Sequence, residues 1–439
     1  MVNRLVSADS DSGKLPSVVE TRIKEEADKL VTPRFTASTA LLGRAFYTKA
    51  YGATGDGVTN DTAAIKAAIT AAGTGGTVIF DGVSVIDSTL SPRPDQTWRF
   101  LPGARLKHAA GAAFNMVQAA FVAGACTFDG MVLDGNKANV TGGTATTGIG
   151  LYVTAARTDM TTVVRNVTVT NTASYGIRLL SSSAATAYPV SLADVYVTGA
   201  SLVGILGRFV RATIENATVT DSGAEGIYLD SCNGSKVLRS TSKNNIWHGI
   251  AVVYTVDFEV ALNLCASNGT MSGGNQGACG IAIGGGTAGL AVNARYSLAN
   301  NVCNGNQANG IQVDPTITGA SGVKQIQDAT IVGNVCNGNI LNHGIYIQNG
   351  SYLTISGNTT AGNGRDGIAL NAAYCTVGDN TAVRNGRYGL NFQEDAGGGY
   401  HRVGMNQLAG NATARMFVGA TLTDIQIVSS GPIPSGATV

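Results

Sequence analysis

Side chains capable of acid–base chemistry recur at fixed distances from a repeated Gly-Ile pair in the second half of this chain. The position before the glycine holds histidine at 343 and aspartate at 366, and the second and fourth positions after it hold further polar residues. The candidate catalytic residues are His343, Asp366, Asp314, Glu225 and Asp230. The candidate substrate-binding residues are Tyr228, Trp247, His248, Gln312, Tyr346, Gln348, Arg365 and Tyr388.

His343 and Asp366 form the best-placed acid–base pair, because they stand at the same position of successive repeats. If successive repeats stack as neighbouring strands, the two positions lie ~5 Å apart, and the carboxylate orients the imidazole or raises its basicity. Arg365 and Tyr346 are near enough to bind a sugar carboxylate or to donate a proton. This group suits a lyase or an epimerase acting on uronic acids. The alternative is that His343 and His248 only cap turns.

The same positions do not provide the pair of carboxylates that hydrolysis of a glycosidic bond needs. Such hydrolysis usually needs two carboxylates, ~5 Å apart for retention or ~6.5–9.5 Å for inversion. Glu225 and Asp230 are roughly 16 Å apart along one strand, and Asp314 lies farther still from Asp366. A hydrolase would use a neighbouring subunit or turn carboxylates, namely Asp257, Glu259, Asp328, Glu394 or Asp395. A second patch combines Glu225, Tyr228 and Asp230 with Trp247 and His248, where the tryptophan either stacks on a sugar or lies under a turn.

The repeat itself predicts the element that positions these residues. Gly204 and Gly226, like Gly367 and Gly389, are 22 residues apart, and short β-branched runs separate Asn- and Gly-containing turns. Such a period indicates a solenoid, and three short strands with three turns fit one coil of a parallel β-helix. Alternation along each Gly-Ile strand predicts that the second and fourth positions after the glycine are exposed. These are Tyr228, Ala251, Ala282, Gln312, Tyr346, Ala369 and Asn391, and Asp230, Val253, Gly284, Asp314, Gln348, Asn371 and Gln393.

Asparagines at a fixed phase predict two stacked asparagine ladders, since buried amides bond to one another from coil to coil. The first is Asn166, Asp194, Asn216, Asn263, Asn301, Asn334, Asn358 and Asn380. The second is Asn171, Asn268, Asn306, Asn339, Asn363, Asn385 and Asn411. Cys265, Cys303 and Cys336 follow the same phase and are predicted to form an apolar stack.

Composition bounds the possible functions. The 439 residues include 58 glycines and only 13% charged residues, which suits one long β-helix. The net charge of +1 gives no electrostatic case for nucleic acid or an anionic membrane. Seven cysteines without close pairs are predicted to be reduced. We expect no cofactor, no metal site, no secretory signal and no membrane span.

Three regions are predicted. Residues 1–44 form an attachment or oligomerisation segment with an amphipathic stretch at Pro16–Leu30, the alternative being a leader without fixed structure. Residues 45–420 form the β-helix, and residues 421–439 form a polar tail.

The segment Ala50–Ile65 (AYGATGDGVTNDTAAI), followed by Gly75–Phe80 (GGTVIF), resembles the opening of the pectate-lyase-like superfamily. Phe128–Asn136 (FDGMVLDGN) is a second family-like phrase. The resemblance implies a right-handed parallel β-helix whose end is capped by an N-terminal helix, here at Thr59–Ala72. The superfamily includes lyases, glycoside hydrolases, epimerases, fructotransferases and phage tailspikes, so the fold does not select the reaction.

The first residues, LVSADSDSGKLPSVVETRI, resemble the start of tail proteins from phages of actinobacteria. That resemblance implies a homotrimeric tailspike or tail fibre of the virion that binds, and depolymerises, a bacterial surface polysaccharide as a lyase or hydrolase. Two alternatives stay open. One is a non-catalytic structural or adsorption fibre, and the other is a bacterial β-helix enzyme such as a fructotransferase, uronan lyase or epimerase.

Overall fold

The computed structural model describes residues 45–121, 124–155, 161–181, 187–269, 277–284, 294–314, 326–393, 400–419 and 425–427. The predicted attachment segment 1–44, most of the predicted tail, and the turn carboxylates Glu394 and Asp395 lie outside these residues. Ile425–Ile427 nevertheless pairs with His401–Val403, so this part of the predicted tail belongs to the β-helix.

The described residues form a parallel β-solenoid whose strands stack along three sides, and each side is described here as one sheet. The Gly-Ile sheet contains Val117–Phe121, Leu151–Ala155, Ile177–Leu180, Ile205–Arg208, Ile227–Asp230, Ile250–Val253, Ile281–Gly284, Ile311–Asp314, the first half of Ile345–Ser356, Ile368–Ala373, Tyr388–Phe392 and Ala414–Val418.

The second sheet follows at the next corner of each coil. It contains Ala45–Tyr47, Thr77–Phe80, Thr97–Phe100, Thr127–Asp129, Thr162–Arg165, Pro189–Ala193, Arg211–Glu215, Lys236–Leu238, Glu259–Ala261, Ala294–Ala299, Ile326–Val332, the second half of Ile345–Ser356, Thr376–Gly378, His401–Val403 and Ile425–Ile427.

The third sheet lies on the remaining side of the coils, where the coil of Val335 contributes only isolated bridges. It contains Asp56–Asn60, Val83–Ile86, Arg105–His108, Val132–Asp134, Thr168–Thr170, Tyr196–Thr198, Thr218–Thr220, Thr241–Lys243, Leu264–Ala266, Val302–Asn304, Thr359–Ala361, Thr381–Val383 and Gln407–Ala409. A small additional pair joins Gly111–Ala112 to Val140–Thr141.

The Gly-Ile repeat is explained by close approach between coils. A Cβ atom at Gly310 would come within 2.6 Å of the Gly344 carbonyl oxygen in the next coil, so a larger residue would push the coils apart. The following isoleucine points inward, and Ile311 pairs in register with Ile345 in a fully buried column. Stacked apolar columns of this kind supply the hydrophobic core of the solenoid.

The asparagine ladders are confirmed in the C-terminal coils and wrong in phase in the N-terminal coils. Asn301 donates its Nδ2 proton to Asn334 Oδ1 over 3.0 Å, and Asn334 does the same to Asn358 over 2.9 Å. The early members do not join these ladders. Instead, they adopt positive φ in turns, one residue before the position that joins the ladder in later coils. These residues are Asn166, Asn171, Asp194 and Asn216. Asparagine favours both places, because it tolerates left-handed backbone as well as bonding through its amide.

Replacing Asn334 by alanine is expected to lower the free energy of unfolding by about 3 kcal/mol, because buried polar groups in three coils lose partners. Its amide accepts the Asn301 backbone N–H and donates to Leu298 O and Asn358 Oδ1. Asn216→Ala is the matched control, since Asn216 occupies the exposed turn. Urea unfolding measures both, and an equal loss for the two variants would contradict the ladder.

The α-helix α1, at Thr62–Ala72, packs near the first coils. It begins three residues later than predicted, because Asn60 Oδ1 accepts the Thr62 N–H while Asp61 accepts protons from Thr54 and Gly55. Its buried side includes Ile65 and Ile69. That α1 closes the end of the core stays a prediction. In the described part of the chain, no helix has the length and apolar character needed to cross a membrane.

Candidate functional site

The position before the glycine forms a hydrogen-bonded column on the Gly-Ile sheet. The Cys279 N–H donates to Nδ1 of His248 over 3.0 Å, and the His343 N–H donates to Asn309 Oδ1 over 2.9 Å. These side chains thus satisfy backbone donors that precede the strand ladder. For His248 this is the turn-capping role that the sequence left open as the alternative.

His343 makes a second contact that His248 lacks. Its Nδ1 lies 3.2 Å from Asp366 Oδ2 and 3.3 Å from the Asp366 backbone nitrogen. One ring nitrogen serves only one of these contacts at a time. The carboxylate contact is the shorter and is charge-assisted, so it favours the tautomer with the proton on Nδ1. That tautomer leaves Nε2 as the basic nitrogen of His343.

Asp366 is completely buried and held by several donors. Arg387 donates to Asp366 Oδ1 from Nε over 2.7 Å and to Oδ2 from Nη2 over 2.5 Å, and Asn391 donates to Oδ2 over 2.7 Å. The Tyr388 N–H also donates to Oδ1 over 3.1 Å. With its oxygens occupied in this way, Asp366 positions His343 and is not itself placed to react with a substrate.

Arg387 was missed by the sequence analysis, which considered only Arg365. The two arginines stand at equivalent positions of successive coils, each two residues before a glycine. That equivalence was the available signal, but it did not show which guanidinium turns toward Asp366.

Burial and charge set the protonation states of this pair. Burial would raise the pKa of Asp366, but donors from Arg387, His343 and Asn391 outweigh it and hold the pKa well below the ordinary value. Burial lowers the pKa of His343, although Asp366 opposes that shift. At neutral pH the pair is therefore a carboxylate beside a neutral imidazole.

A cleft of about 230 Å³ opens beside this pair on the Gly-Ile sheet. The His343 and Tyr346 rings stack in it with centroids 5.1 Å apart, and the Tyr346 hydroxyl donates to Gln348 Oε1 over 2.8 Å. Burial raises the pKa of Tyr346, as does the nearby Asp314. The described lining residues are Gly277, Asn309, Gln312, Asn342, His343, Tyr346, Arg365 and Gln393.

An amide relay connects the cleft to Asp314. Asn309 Nδ2 donates to Gln312 Oε1 over 2.8 Å, and Gln312 Nε2 donates to Asp314 Oδ2 over 3.2 Å. The structure therefore brings together most of the residues predicted for the first site, and it turns Asp366 away from the cleft into its supporting layer.

Several positions predicted to be exposed are buried. They are Asp230, Ala251, Val253, Ala282, Gly284, Asp314, Ala369 and Asn391. One physical reason is visible in the small apolar cluster of Ala251, Cys279, Ala282 and Ala308, against which Tyr228 packs. Alternation identifies the outer side of a strand, whereas the size of neighbouring side chains decides whether that side is exposed.

The second predicted patch lies apart from the cleft lining. Asp230 is buried in an ion pair with Arg208, whose Nε lies 3.1 Å from Asp230 Oδ2. Burial raises the pKa of Glu225 and, together with the charges of Asp230 and Glu225, that of Tyr228. Trp247 is 37% exposed, and its ring lies 6.0 Å from His248 at an interplanar angle of 60°.

Other predicted residues have partners outside the cleft. Tyr388 stacks on Phe417, with ring centroids 5.1 Å apart. On the second-sheet side, Asp257 pairs with Arg295 over 2.6 Å and Glu259 pairs with Lys236 over 3.0 Å. These two carboxylates are therefore not recruited to the cleft for hydrolysis.

Residues 147–318 match the family model for a right handed beta helix region. The chain is a right-handed parallel β-helix. The right-handed parallel β-helix implied by the pectate-lyase-like opening is thereby confirmed. No curated protein sequence matches the chain significantly.

Solved structures similar to this β-helix include a bacterial epimerase and two phage proteins. The A-module of mannuronan C-5 epimerase AlgE4 from Azotobacter vinelandii is 18% identical, with a TM-score of 0.59, over 87% of this chain and 100% of the module. The N-terminal fragment of bacteriophage Phi29 gene product 12 is 14% identical, with a TM-score of 0.58, over 87% of this chain and 65% of the fragment. The Dettilon tailspike protein gp208 is 16% identical, with a TM-score of 0.53, over 86% of this chain and 69% of the tailspike. At such identities these likenesses establish the fold.

The buried His248 predicts a pH dependence of β-helix stability. Burial lowers its pKa from 6.5 to about 4, so the unfolded chain binds the proton first as the pH falls. Stability is therefore lost between pH 6.5 and about 4, by on the order of 3 kcal/mol. His248→Asn should remove this loss while keeping an acceptor for Cys279, as Asn309 does in the same column. Urea unfolding at pH 7 and pH 4.5 checks this, and an unchanged difference between the two pH values would refute it.

Proposed function

We propose that this β-helix binds an acidic bacterial surface polysaccharide in the cleft and cleaves it by β-elimination, as part of a phage tailspike or tail fibre. The observation that carries the proposal is the association of a neutral imidazole, a phenol and a guanidinium in one open cleft. His343 and Tyr346 are in ring contact, and Arg365 lines the same space.

Each group has a role that its environment supports. Arg365 pairs with the carboxylate of a uronic acid and stabilises the negative charge that develops there. Nε2 of His343 removes the proton on the carbon next to that carboxylate. The bond from the neighbouring carbon to the glycosidic oxygen then breaks, a carbon–carbon double bond forms, and the Tyr346 hydroxyl protonates the leaving oxygen.

The pKa shifts agree with these roles. The lowered pKa of His343 keeps the imidazole neutral and able to accept a proton, and the raised pKa of Tyr346 keeps the phenol protonated. Asp366 orients the imidazole and stabilises its protonated form, while Arg387 keeps Asp366 ionised.

An epimerase is the second candidate, because the same base and acid on one carbon would remove and return a proton without cleavage. The neighbours support a carbohydrate-directed role, since one is a mannuronan epimerase and another is a tailspike. In the tailspike setting we further propose a homotrimer of the virion tail, attached to the particle through residues 1–44, with α1 closing the end of each core. Light scattering of the full chain measures the molar mass in solution, and a mass of three chains is expected for the homotrimer.

The function is tested by incubating the purified chain with polymannuronate, polyguluronate, polygalacturonate and capsular and cell-wall polysaccharides of actinobacteria. Reducing ends together with absorbance of unsaturated uronates are expected. Reducing ends without that absorbance would indicate hydrolysis and overturn the elimination mechanism. Binding with neither signal would leave an adsorption fibre or an epimerase, which proton exchange at the uronate distinguishes. Failure to bind any of these polymers would overturn the proposed function.

Arg365→Gln should weaken binding of acidic polymers by about 10- to 100-fold, the range of a charge-assisted hydrogen bond. Uncharged dextran should show no such change. Arg384→Gln is the matched control, because Arg384 lies on an exposed turn and loses the same charge. Titration calorimetry compares them, and equal affinities for the two variants would exclude Arg365 from substrate recognition.

A further inference from the structure

Three tyrosines stand in register at one corner of the coils that carry the cleft. Tyr352, Tyr374 and Tyr400, here called the tyrosine column, each lie two residues before positions that pair across neighbouring strands, Thr354, Thr376 and Arg402. Their side chains are 57%, 49% and 47% exposed. The first two rings stack with centroids 5.0 Å apart and an interplanar angle of 8°. Tyr352 and Tyr374 thus form a stacked aromatic pair open to solvent, and Tyr400 follows in register one coil later, with its hydroxyl donating to Gln426.

The backbone of this corner does not favour tyrosine. Tyr352 has φ 57° and Tyr374 has φ 55°, the left-handed region that bulky residues rarely adopt. In the preceding coils the same left-handed position holds Asp328, Arg295, Asp257 and Gly234. The turn itself therefore has no need of an aromatic ring, and the first of the tyrosines, Tyr352, lies in the coil that carries His343 and Tyr346.

Uncharged amides occupy the surface between the cleft and the tyrosine column. Gln348, Asn371 and Gln393 stand at the fourth position after successive glycines, and Gln393 also lines the cleft.

We propose that the tyrosine column is a second saccharide-contact site, reached by the same polysaccharide chain that occupies the cleft. This rests on the proposed function. Aromatic rings beside amides and hydroxyls match a sugar, which has apolar C–H faces and many hydroxyl groups but little charge away from its carboxylate. Tyr346 and Tyr352 are six residues apart, at most about 20 Å at strand rise. A chain of several sugar rings spans that distance, whereas a disaccharide bound in the cleft does not.

The test compares a long and a short probe on the variant Tyr352→Ala/Tyr374→Ala. The probes are whichever polyuronate of the panel binds most tightly, and its disaccharide. Affinity for the polymer should fall about 10-fold or more, and affinity for the disaccharide should stay the same. Tyr196→Ala is the matched control, because Tyr196 is 42% exposed on the third sheet.

A second measurement uses the wild-type chain and does not depend on the variant folding. Hydroxyl-radical footprinting with the polymer should protect the tyrosine column and leave Tyr196 unprotected. If the polymer binds without protecting the tyrosine column, or binds the folded double variant with full affinity, the second contact site is overturned and the proposed function is not. Absence of binding to every polyuronate would overturn the second contact site together with the proposed function.

Discussion

Replacing His343 by asparagine is expected to lower the rate of polysaccharide cleavage by about 100- to 10,000-fold, the range of a lost general base. Asparagine keeps a hydrogen-bonding amide beside Asp366, because Asn309 occupies the same position of the column one coil earlier. Binding of the polymer and the unfolding midpoint should therefore change little. Initial rates of unsaturated uronate formation, beside calorimetric affinities, separate the chemical effect from a structural one.

His108→Asn serves as the control for this change, since His108 is a buried histidine at the end of a third-sheet strand. The pH profile gives an independent check. Because the pKa of His343 is lowered, the cleavage rate should hold as the pH falls through 6.5 and decline only in more acidic solution. A His343→Asn variant that cleaves at the wild-type rate would remove His343 from the mechanism.

Replacing Asp366 by alanine is expected to cost about 3–5 kcal/mol of folding free energy, the range for breaking a buried ion pair from one side. Arg387 would lose both of its carboxylate contacts, and donors on Asn391 and Tyr388 would lose their acceptor. Asp366→Asn should cost less, since the amide oxygen still accepts one of these donors. Denaturant unfolding measures the two variants.

Asp257→Ala is the informative comparison, because Asp257 also accepts two bonds from one arginine, over 2.6 Å and 2.9 Å to Arg295. That pair is exposed, so water replaces the lost contact and little stability should be lost. If Asp257→Ala and Asp366→Ala destabilise the β-helix equally, burial is not the source of the effect.

Much of the architecture follows from local repetition. The Gly-Ile period predicted stacked coils because a contact such as Gly310 against Gly344 depends only on adjacent repeats, so sequence spacing translates directly into structure. The ladder asparagines from Asn263 onward were predicted for the same reason. Asn166 and Asn216 were assigned to the ladder but occupy the turn one residue earlier. Both positions favour asparagine, so the residue type alone does not distinguish them.

The candidate site was predicted in part. Because His343 and Asp366 occupy the same position of successive repeats, they were predicted to be neighbours. The structure confirms this, with His343 Nδ1 3.2 Å from Asp366 Oδ2. The sequence pattern could not show that Asp366 faces Arg387 and is closed off from the cleft, because side-chain direction depends on packing across three coils. Nor could it find the tyrosine column, whose members Tyr352, Tyr374 and Tyr400 are separated by unequal turns.

By itself, the sequence determined the solenoid, the inward isoleucines and the coil to which each candidate residue belongs. These features repeat, and each depends on neighbours one coil away. The tertiary structure alone decided which side chains are buried, which arginine neutralises Asp366 and which residues share an open cleft. Those outcomes depend on the sizes and charges of side chains from several coils together, and no single repeat carries that information.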